Sequence, residues 1–139
     1  MVQAMSEESE HPHLRLVREY LVAIEADDEQ RIFDFLDSAV HQHEFPNQLV
    51  TTGAERGLEQ IREGARRGRQ VVEQQRYEIK NALVDGERIA VELVWTARLK
   101  VPVKNTPAGG TMRASCGMFF RIQGGRIVEQ HNYDCFDPF

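Results

Sequence analysis

The sequence predicts a single α+β domain in which three N-terminal helices cover the concave face of a strongly curved antiparallel sheet, a cone-shaped roll. Two observations predict this fold. Apolar residues recur at helical spacing before Gln74, and from there to the end they alternate with the period of a strand. The 139 residues, 41% hydrophobic and 28% charged, have the size and composition of one domain. Because long antiparallel strands twist and coil, we expect the concave face to enclose an apolar pocket for a small organic molecule.

The first ten residues are predicted to lie outside the domain. Residues 1–10 lack periodicity and carry three glutamates, which is typical of a mobile tail. The domain itself is therefore expected to span residues 11–139.

Two helices and a short strand are predicted at the start of this domain. Pro12 suits the first turn of a helix, whose apolar positions are Leu14, Val17, Leu21 and Ile24. Asp27 and Asp28 separate it from a second helix, which aspartate caps and whose apolar residues are Ile32, Phe33, Phe35 and Leu36. The extended segment 41–45 then ends at Pro46, which cannot donate to a sheet ladder.

A third helix is predicted from Glu55, after a loop over 47–53. Its apolar positions are Leu58, Ile61, Ala65 and Val72. Three glycines, Gly57, Gly64 and Gly68, each cost about 1 kcal/mol relative to alanine in a helix interior. The outer face is predicted to carry Arg56, Arg62, Arg66, Arg67 and Arg69. Such a run is usually a solvated helix face, and the alternative is an anion or partner site.

Four strands are predicted after Gln74. The first has Tyr77, Ile79 and Leu83 on one face and ends at the turn Asp85-Gly86. The second is apolar at every odd position over 89–101, and the third at every even position over 112–122. The turn at Gly124-Gly125 leads into the last strand, 127–136. Helices must cover the continuous apolar face of such a meander.

Charge and cysteine content exclude several classes of function. With a net charge of −5 and a pI of about 5.5, nothing attracts the whole molecule to nucleic acid or to a membrane surface, and we expect neither as a partner. Cys116 and Cys135 are too few for a disulfide framework, so both are expected to be free, buried thiols in a reducing compartment. The N-terminal segment is polar and acidic, which does not match a signal peptide. A cytoplasmic location is therefore predicted.

Two groups of polar residues in the first half could enter the pocket. Tyr20 lies beside the apolar stripe of helix one, as a donor to a ligand oxygen or as a half-buried core tyrosine. A strand over 41–44 would place His41 and His43 on one face, with Gln42 and Glu44 on the other. Glu44 could act as a general base, because apolar walls raise a carboxylate pKa, and His43 could serve instead. Two histidines without a third ligand predict no metal site.

The last strand offers a third group. Gln130, Asn132 and Asp134 share one face, and His131 and Tyr133 share the other. Asn132 or Asp134 could bind a ligand carbonyl or hydroxyl; the alternative is a strand at an edge or dimer interface with polar residues facing water. The sequence contains no glycine-rich phosphate loop and no nucleophile elbow, so we expect no cofactor.

Four short motifs, in the order of the predicted elements, carry a family resemblance. They are Val17-Arg18-Glu19-Tyr20-Leu21 running into Glu25-Ala26-Asp27-Asp28, His43-Glu44-Phe45-Pro46-Asn47, Arg88-Ile89-Ala90-Val91-Glu92 running to Trp95, and Gly125-Arg126-Ile127-Val128-Glu129 running into Asn132-Tyr133. Over about residues 12–136 the chain resembles the SnoaL-like branch of the nuclear-transport-factor-2-like superfamily. That superfamily includes bacterial ketosteroid isomerases, polyketide cyclases and limonene-epoxide hydrolase, so the resemblance indicates the fold and leaves the activity open.

The resemblance to the isomerases implies only part of a catalytic set. Their helix-one tyrosine, which donates to the substrate oxyanion, matches Tyr20. Their general base falls at His43 or Glu44. Their second oxyanion-hole residue, a protonated aspartate, falls at Met118, which cannot donate a hydrogen bond.

The resemblance to the epoxide hydrolase is also partial. The Arg-x-Asp pair of that enzyme falls at Leu93 and Trp95, and its other aspartate falls at Asn132. What remains is an implied pocket with Asp134 as its inward carboxylate.

The hairpin before the last strand makes two opposite predictions. A plain two-residue turn at Gly124-Gly125 would pair Ile122 with Ile127 and place His131 and Tyr133 inside. The resemblance instead implies that the face of Asn132 and Asp134 points inward. A bulge or an odd-length turn would reconcile the two, and we expect the inward face that the resemblance implies.

Two hypotheses follow. The first is a pocket protein acting on, or binding, a small and largely apolar oxygenated molecule, as a cofactor-independent isomerase, cyclase or hydrolase. Its catalytic residues would be Glu44, His43, Asp134 and Tyr20, and its ligand-binding residues would be Trp95, Met118, Phe120, Gln130 and Asn132. The alternative is a non-catalytic module with the same fold that binds a ligand or dimerises. In either case we expect a homodimer formed through the outer face of the sheet.

Overall fold

A computed structural model describes residues 10–139. Residues 1–9 of the predicted tail lie outside this range, and Glu10 binds the guanidinium of Arg18. The helices are α1 (Pro12–Glu25), α2 (Glu29–Asp34) and α3 (Leu58–Val71). The strands are β1 (Leu36–Glu44), β2 (Ala54–Arg56), β3 (Val72–Asp85), β4 (Arg88–Leu99), β5 (Thr111–Gln123) and β6 (Arg126–Phe136).

All six strands form one curved, unclosed sheet, which confirms the predicted α+β class. The strand order is β2-β1-β6-β5-β4-β3. Neighbouring strands are antiparallel except β1 and β6, which run parallel. Helix α1 packs against β3, and α3 packs against β1 and β3. Within residues 10–139, no helix combines the length and the apolar character that crossing a membrane requires.

The core lies between the sheet and the helices, and the alternation of β4 and β5 predicts it correctly. The odd positions of β4, from Ile89 to Leu99, are buried or half-buried, and the even positions of β5, from Met112 to Ile122, are buried. On α1, Val17 and Leu21 are buried against them. Burial of this apolar face is the main favourable term in folding such a domain.

The second helix ends earlier than predicted. Asp28 caps α2 as expected, with its carboxylate accepting from the Arg31 backbone N–H at 3.2 Å. The helix stops at Asp34, however, and β1 begins at Leu36 rather than at residue 41. Leu36 is paired with Ile127 of β6. Pairing with a strand distant in sequence therefore overrides the local helical pattern.

The third helix begins later than predicted, and this moves Arg56 off it. Residues 54–56 form β2, which pairs with β1. Gly57 is the N-cap of α3, and its backbone N–H donates to Gln60 Oε1 at 2.9 Å. The prediction that Arg56 lies on the outer helix face was therefore wrong: it is a strand residue whose guanidinium meets Glu44.

The first strand of the meander contains a bulge that the sequence pattern does not reveal. Ile79 pairs with Leu93 and Asn81 pairs with Glu92, so Lys80 is an extra residue. The side chains beyond it change faces. Leu83, predicted to share a face with Ile79, is consequently 68% exposed, and Ala82 and Val84 pack on the core instead.

A bulge in β6 confirms the expected face of the last strand. Gly124 and Gly125 form the two-residue turn with φ values of 60° and 73°, as a hairpin of this kind requires. Ile122 pairs with Ile127, but Arg121 pairs with Glu129, so Val128 is an extra residue. Gln130, Asn132 and Asp134 therefore point toward the helices, and His131 points outward.

Both cysteines are free, but only one is buried. Cys116 lies in the core on β5. The prediction that Cys135 is buried was wrong, because it follows the inward-facing Asp134 on β6 and so lies on the exposed face.

Candidate functional site

A cavity lies between the concave face of the sheet and all three helices. Its volume is about 360 Å³, within the range of roughly 300–1,000 Å³ that is typical of small-molecule sites. Apolar side chains from the helices and from β3, β4 and β5 line most of its wall. The polar groups in the lining come mainly from β1, β2 and β6: Gln42, Glu44, Arg56, Asn132 and Asp134.

Asp134 is a partly buried carboxylate in the cavity wall, and its surroundings raise its pKa. Burial raises the pKa of Asp134; a hydrogen bond from the Cys116 thiol opposes this, and the charge of Glu44 adds to it. Its Oδ1 atom is buried and has no hydrogen-bond partner among residues 10–139. A carboxyl with a raised pKa and an unpartnered oxygen in a cavity wall is a candidate general acid or base.

Glu44 also reaches the cavity, but both of its oxygens are bonded. Arg56 Nη1 donates to Oε1 at 2.9 Å, and Asn47 Nδ2 donates to Oε2 at 2.9 Å. The ion pair is largely shielded, with Glu44 and Arg56 side chains 14% and 20% exposed. Glu44 therefore anchors Arg56 at the cavity wall.

Tyr20 is fully buried and bonded within the protein. Its hydroxyl donates to Gln130 Oε1 at 3.3 Å, and Gln130 Nε2 donates to Asn132 Oδ1 at 2.9 Å. Burial raises the pKa of Tyr20, so its hydroxyl stays protonated. Tyr20 and Asn132 line the cavity, whereas Gln130 lies behind them.

The cavity brings together most, but not all, of the predicted site residues. Tyr20, Glu44, Asp134, Trp95, Met118 and Asn132 line it. Phe120 does not; it is buried edge-on against the ring of Tyr20, at 6.3 Å between centroids. Trp95 contributes its ring, because its indole N–H donates to Gln75 Oε1 at 2.9 Å.

His43 lies on the opposite face of the sheet, away from the cavity. Its ring stacks on Phe45 at 3.9 Å between centroids and meets His131 edge-on at 5.9 Å. The two faces of β1 separate it from Glu44, as the strand pattern predicts. The structure therefore brings Glu44 to the cavity and leaves His43 outside.

Sequence reasoning missed several cavity residues, among them Cys116, Tyr77 and Arg56. Cys116 and Tyr77 occupy inward positions that the alternation identifies only as apolar core. Burial raises the pKa of both, so both remain protonated and able to donate. The sequence analysis placed Arg56 on the third helix. Glycine is common at helix N-caps, so Gly57 could have indicated that the helix begins after Arg56.

No set of three or more histidine, cysteine, aspartate or glutamate side chains within residues 10–139 is arranged to hold a metal ion. His41 and His43 lie on the outer face, with their ring centroids 6.4 Å apart. His41 instead forms an ion-pair contact with Glu55 at 3.2 Å.

Comparison with known proteins identifies relatives by family and by fold. A family model described as a SnoaL-like domain matches residues 17–130. No curated protein matches the sequence.

Three solved structures illustrate the likeness in fold. A candidate polyketide cyclase, IdmH from Streptomyces antibioticus, is 15% identical with a TM-score of 0.76, covering 89% of this chain and 92% of its own. A candidate hydroxylase, AclR from Streptomyces galilaeus, is 15% identical with a TM-score of 0.73, over 88% of this chain and 74% of its own. A protein with a ketosteroid isomerase-like fold from Catenulispora acidiphila, in complex with trimethylamine, is 18% identical with a TM-score of 0.67, over 85% and 83%. At these identities the likeness establishes the fold alone.

Proposed function

This chain belongs to the SnoaL-like domain family, and we propose that it catalyses acid–base chemistry on a small, largely apolar, oxygenated substrate. One observation carries the proposal: Asp134 has a buried oxygen without a partner among the described residues, in the wall of a cavity large enough for a ligand. Burial raises its pKa, which brings a carboxylate closer to the pH at which a general base works best. The candidate cyclases that share the fold give the proposal its reaction class.

In the proposed reaction, ionised Asp134 removes a proton from a carbon next to a ligand carbonyl. The electron pair of the C–H bond moves into the carbonyl group, which becomes an enolate. In an isomerase, Asp134 returns the proton to a different carbon. In a cyclase, the enolate carbon attacks a second carbonyl of the same molecule, and Asp134 gives its proton to the alkoxide that forms. In a hydrolase, Asp134 would take a proton from water as the water oxygen attacks an epoxide carbon. The C–O bond of the ring breaks, and Asp134 gives the proton to the alkoxide that forms.

Glu44 has a supporting role in this proposal. A base needs a free oxygen, and the two oxygens of Glu44 accept from Arg56 and Asn47. The negative charge of Glu44 also helps to raise the pKa of Asp134. We therefore assign the proton transfer to Asp134, and to Glu44 the positioning of Arg56.

The test begins with ligand discovery. Thermal-shift screening against steroid enones, terpenoid epoxides and polyketide-like aromatics identifies ligands, and turnover of each hit is followed by NMR. We expect Asp134→Asn to retain binding and to lose about 10²–10⁴-fold in turnover. Glu44→Gln is the comparison, with a smaller loss. Equal turnover in wild type and Asp134→Asn would refute the assignment of Asp134.

The non-catalytic alternative rests on the outer face of the sheet. There His43, Phe45, His131, Tyr133 and Phe119 form what we call the outer aromatic cluster. Phe119 is 51% exposed and Tyr133 is 45% exposed. Contiguous exposed aromatic surface is typical of protein interfaces. We propose that a second copy of the chain covers this cluster in a twofold-symmetric homodimer.

The ligand screen also tests the non-catalytic alternative. Ligands that bind the wild-type protein but are not turned over by it would favour a binding module.

A further inference from the structure

The hydrogen bonds from Tyr20 to Asn132 run in one direction. The Tyr20 hydroxyl donates to Gln130 Oε1, and Gln130 Nε2 donates to Asn132 Oδ1. Tyr20 and Gln130 are 2% and 4% exposed, so this chain of bonds is sealed from solvent at its start. Each group fixes the orientation of the next, because every donor in it meets an acceptor.

Reversing the direction of these hydrogen bonds would cost free energy. If the Gln130 amide turned over, its NH2 group would face the Tyr20 hydroxyl, whose proton would then lack its present acceptor. Leaving a buried donor unpaired costs about 1–3 kcal/mol. The Asn132 amide is therefore held with its oxygen toward Gln130.

Asn132 lines the cavity, and with its oxygen held toward Gln130 its NH2 group is left to donate to a ligand. No residue within 10–139 accepts a hydrogen bond from Asn132 Nδ2 at bonding distance. On the neighbouring strands it is paired with Glu44 of β1 and Met118 of β5. Asp134 follows two residues later on the same face of β6, so a donor and the proposed base lie side by side.

The location of this donor is unexpected in one respect. The resemblance to the isomerases implies one oxyanion donor at Tyr20 and another at Met118. Tyr20 gives its proton to Gln130, and a methionine side chain has no proton to donate. The residue directly across the ladder from Met118 is Asn132, which has two amide protons.

We propose that the Asn132 side-chain amide is the hydrogen-bond donor for an oxygen acceptor on the ligand, and that Gln130 and Tyr20 are positioning residues that hold it in that orientation. The proposal deepens the proposed function, since it rests on the cavity being the ligand site. It assigns the ligand a carbonyl or enolate oxygen beside β6, and it gives Tyr20 an indirect role.

The test compares two probes of nearly the same shape, the ketone 1-tetralone and the hydrocarbon tetralin. Only the ketone has an acceptor oxygen. For wild type we expect binding of the ketone to be about tenfold tighter, the equivalent of about 1.4 kcal/mol. We also expect the carbonyl stretch of bound 1-tetralone to shift to lower frequency, which reports the hydrogen bond directly.

Three variants test these hydrogen bonds in order, starting from Asn132. Asn132→Asp keeps the acceptor toward Gln130 but replaces the donor with an oxygen, so the ketone preference and the frequency shift should be lost. Gln130→Met has no proton to donate to Asn132 Oδ1 and should weaken both. Tyr20→Phe, which changes only one hydroxyl, should also reduce both, and it keeps the proposal testable if Gln130→Met fails to fold.

Asn81→Asp is the matched control, because it makes the same substitution at an exposed position of β3 outside the cavity. We expect it to leave the ketone preference unchanged. Tyr77→Phe tests the competing donor, since Tyr77 lines the same cavity. A preference lost in Tyr77→Phe and kept in Asn132→Asp would assign the donor to Tyr77 and overturn the proposal. Ketone binding is measured without turnover, so this failure is distinct from a failure of Asp134 as the base.

Discussion

Cys116 and Asp134 are direct partners across the ladder between β5 and β6, and the interaction with the Cys116 thiol lowers the pKa of the Asp134 carboxyl. This interaction favours the ionised carboxylate, but burial favours the neutral acid more, and the net effect raises the pKa of Asp134. Glu44 on β1 adds a like charge. Tyr77 on β3 interacts with Asp134 as a neutral phenol, because burial raises its own pKa. The folded protein therefore holds Asp134 in an environment that disfavours its charge.

Replacing Asp134 with asparagine should stabilise the protein at neutral pH. Because the pKa is raised on folding, the stability that this group contributes is complete below the unfolded-state pKa of aspartate, near 3.9, and is lost as pH rises through the higher folded-state pKa. Asp134→Asn removes the charge that causes this loss. Melting temperatures measured across pH should be higher for the variant at neutral pH, and the difference should shrink as pH falls.

The control for this prediction is Asp85→Asn, which changes an exposed carboxyl at the end of β3. Its melting curve should follow wild type across the same pH range. An Asp134→Asn protein that melts below wild type at neutral pH would contradict the assigned cost of the buried charge.

The Glu44–Arg56 ion pair should couple more strongly than a surface pair. Both side chains are largely shielded, and removing one partner leaves the other charge poorly solvated. A double-mutant cycle with Glu44→Gln and Arg56→Met, measured by urea unfolding, should give a coupling of about 1–3 kcal/mol. The exposed pair Glu78–Lys80 is the reference and should give below about 1 kcal/mol. Equal coupling in the two pairs would show that the cavity wall gives Glu44 and Arg56 no shielding.

Replacing Gly68 with alanine should stabilise helix α3. A Cβ atom at this position would meet nothing within 4 Å, so the substitution relieves the conformational cost of glycine without a clash. We expect a gain of about 0.5–1 kcal/mol in the free energy of unfolding. Because Gly68 lines the cavity, the same change should weaken binding of the largest ligands found by screening.

The comparison is Gly57→Ala at the N-cap of the same helix. A Cβ there would lie 3.1 Å from Gln60 Oε1, the atom that caps the Gly57 backbone N–H. This variant should gain no stability. If both alanine variants were stabilised equally, helix propensity alone would explain the result and the open space at Gly68 would have no bearing on it.

The outer aromatic cluster should govern self-association. Phe119→Lys places a charge in the centre of the proposed symmetric contact, where two copies of the charge would meet. Sedimentation velocity should show a dimer for wild type and a monomer for the variant. Val22→Lys, at a 54% exposed apolar position on α1, should remain dimeric. A monomeric wild type at high protein concentration would rule out the homodimer.

Much of the fold follows from local pattern. The alternation of β4 and β5 identifies their buried faces because each strand keeps an unbroken period of two between its turns. Pro12 and Asp28 mark where α1 and α2 begin, since each satisfies or removes a backbone donor at a helix start.

The errors arise where a distant strand determines the local structure. Leu36 continues the helical apolar pattern of α2 in the sequence, but it belongs to β1 because it pairs with β6. Lys80 adds one residue to β3, and nothing in the apolar pattern of β3 alone marks that position. Arg56 belongs to a three-residue strand too short to have a recognisable period.

The cavity is predictable to a similar extent. Alternation predicts that Trp95 and Met118 point inward, and the family resemblance predicts the inward face of Asn132 and Asp134. The hydrogen-bond partner of each polar group could not be predicted from local pattern. Tyr20 contacts Gln130, which is 110 positions away in sequence, and Arg56 contacts Glu44 on a neighbouring strand. These contacts decide which groups remain free to react.

The extra residue at Val128 means that the chemical character of the cavity depends on the length of a strand. With Val128 present, an amide and a carboxylate, Asn132 and Asp134, face the ligand space. Deleting that one residue would bring the imidazole of His131 and the phenol of Tyr133 to the inside and turn the other two outward. A deletion of one codon, with no substitution anywhere, would thus exchange one pair of functional groups for another within the same scaffold.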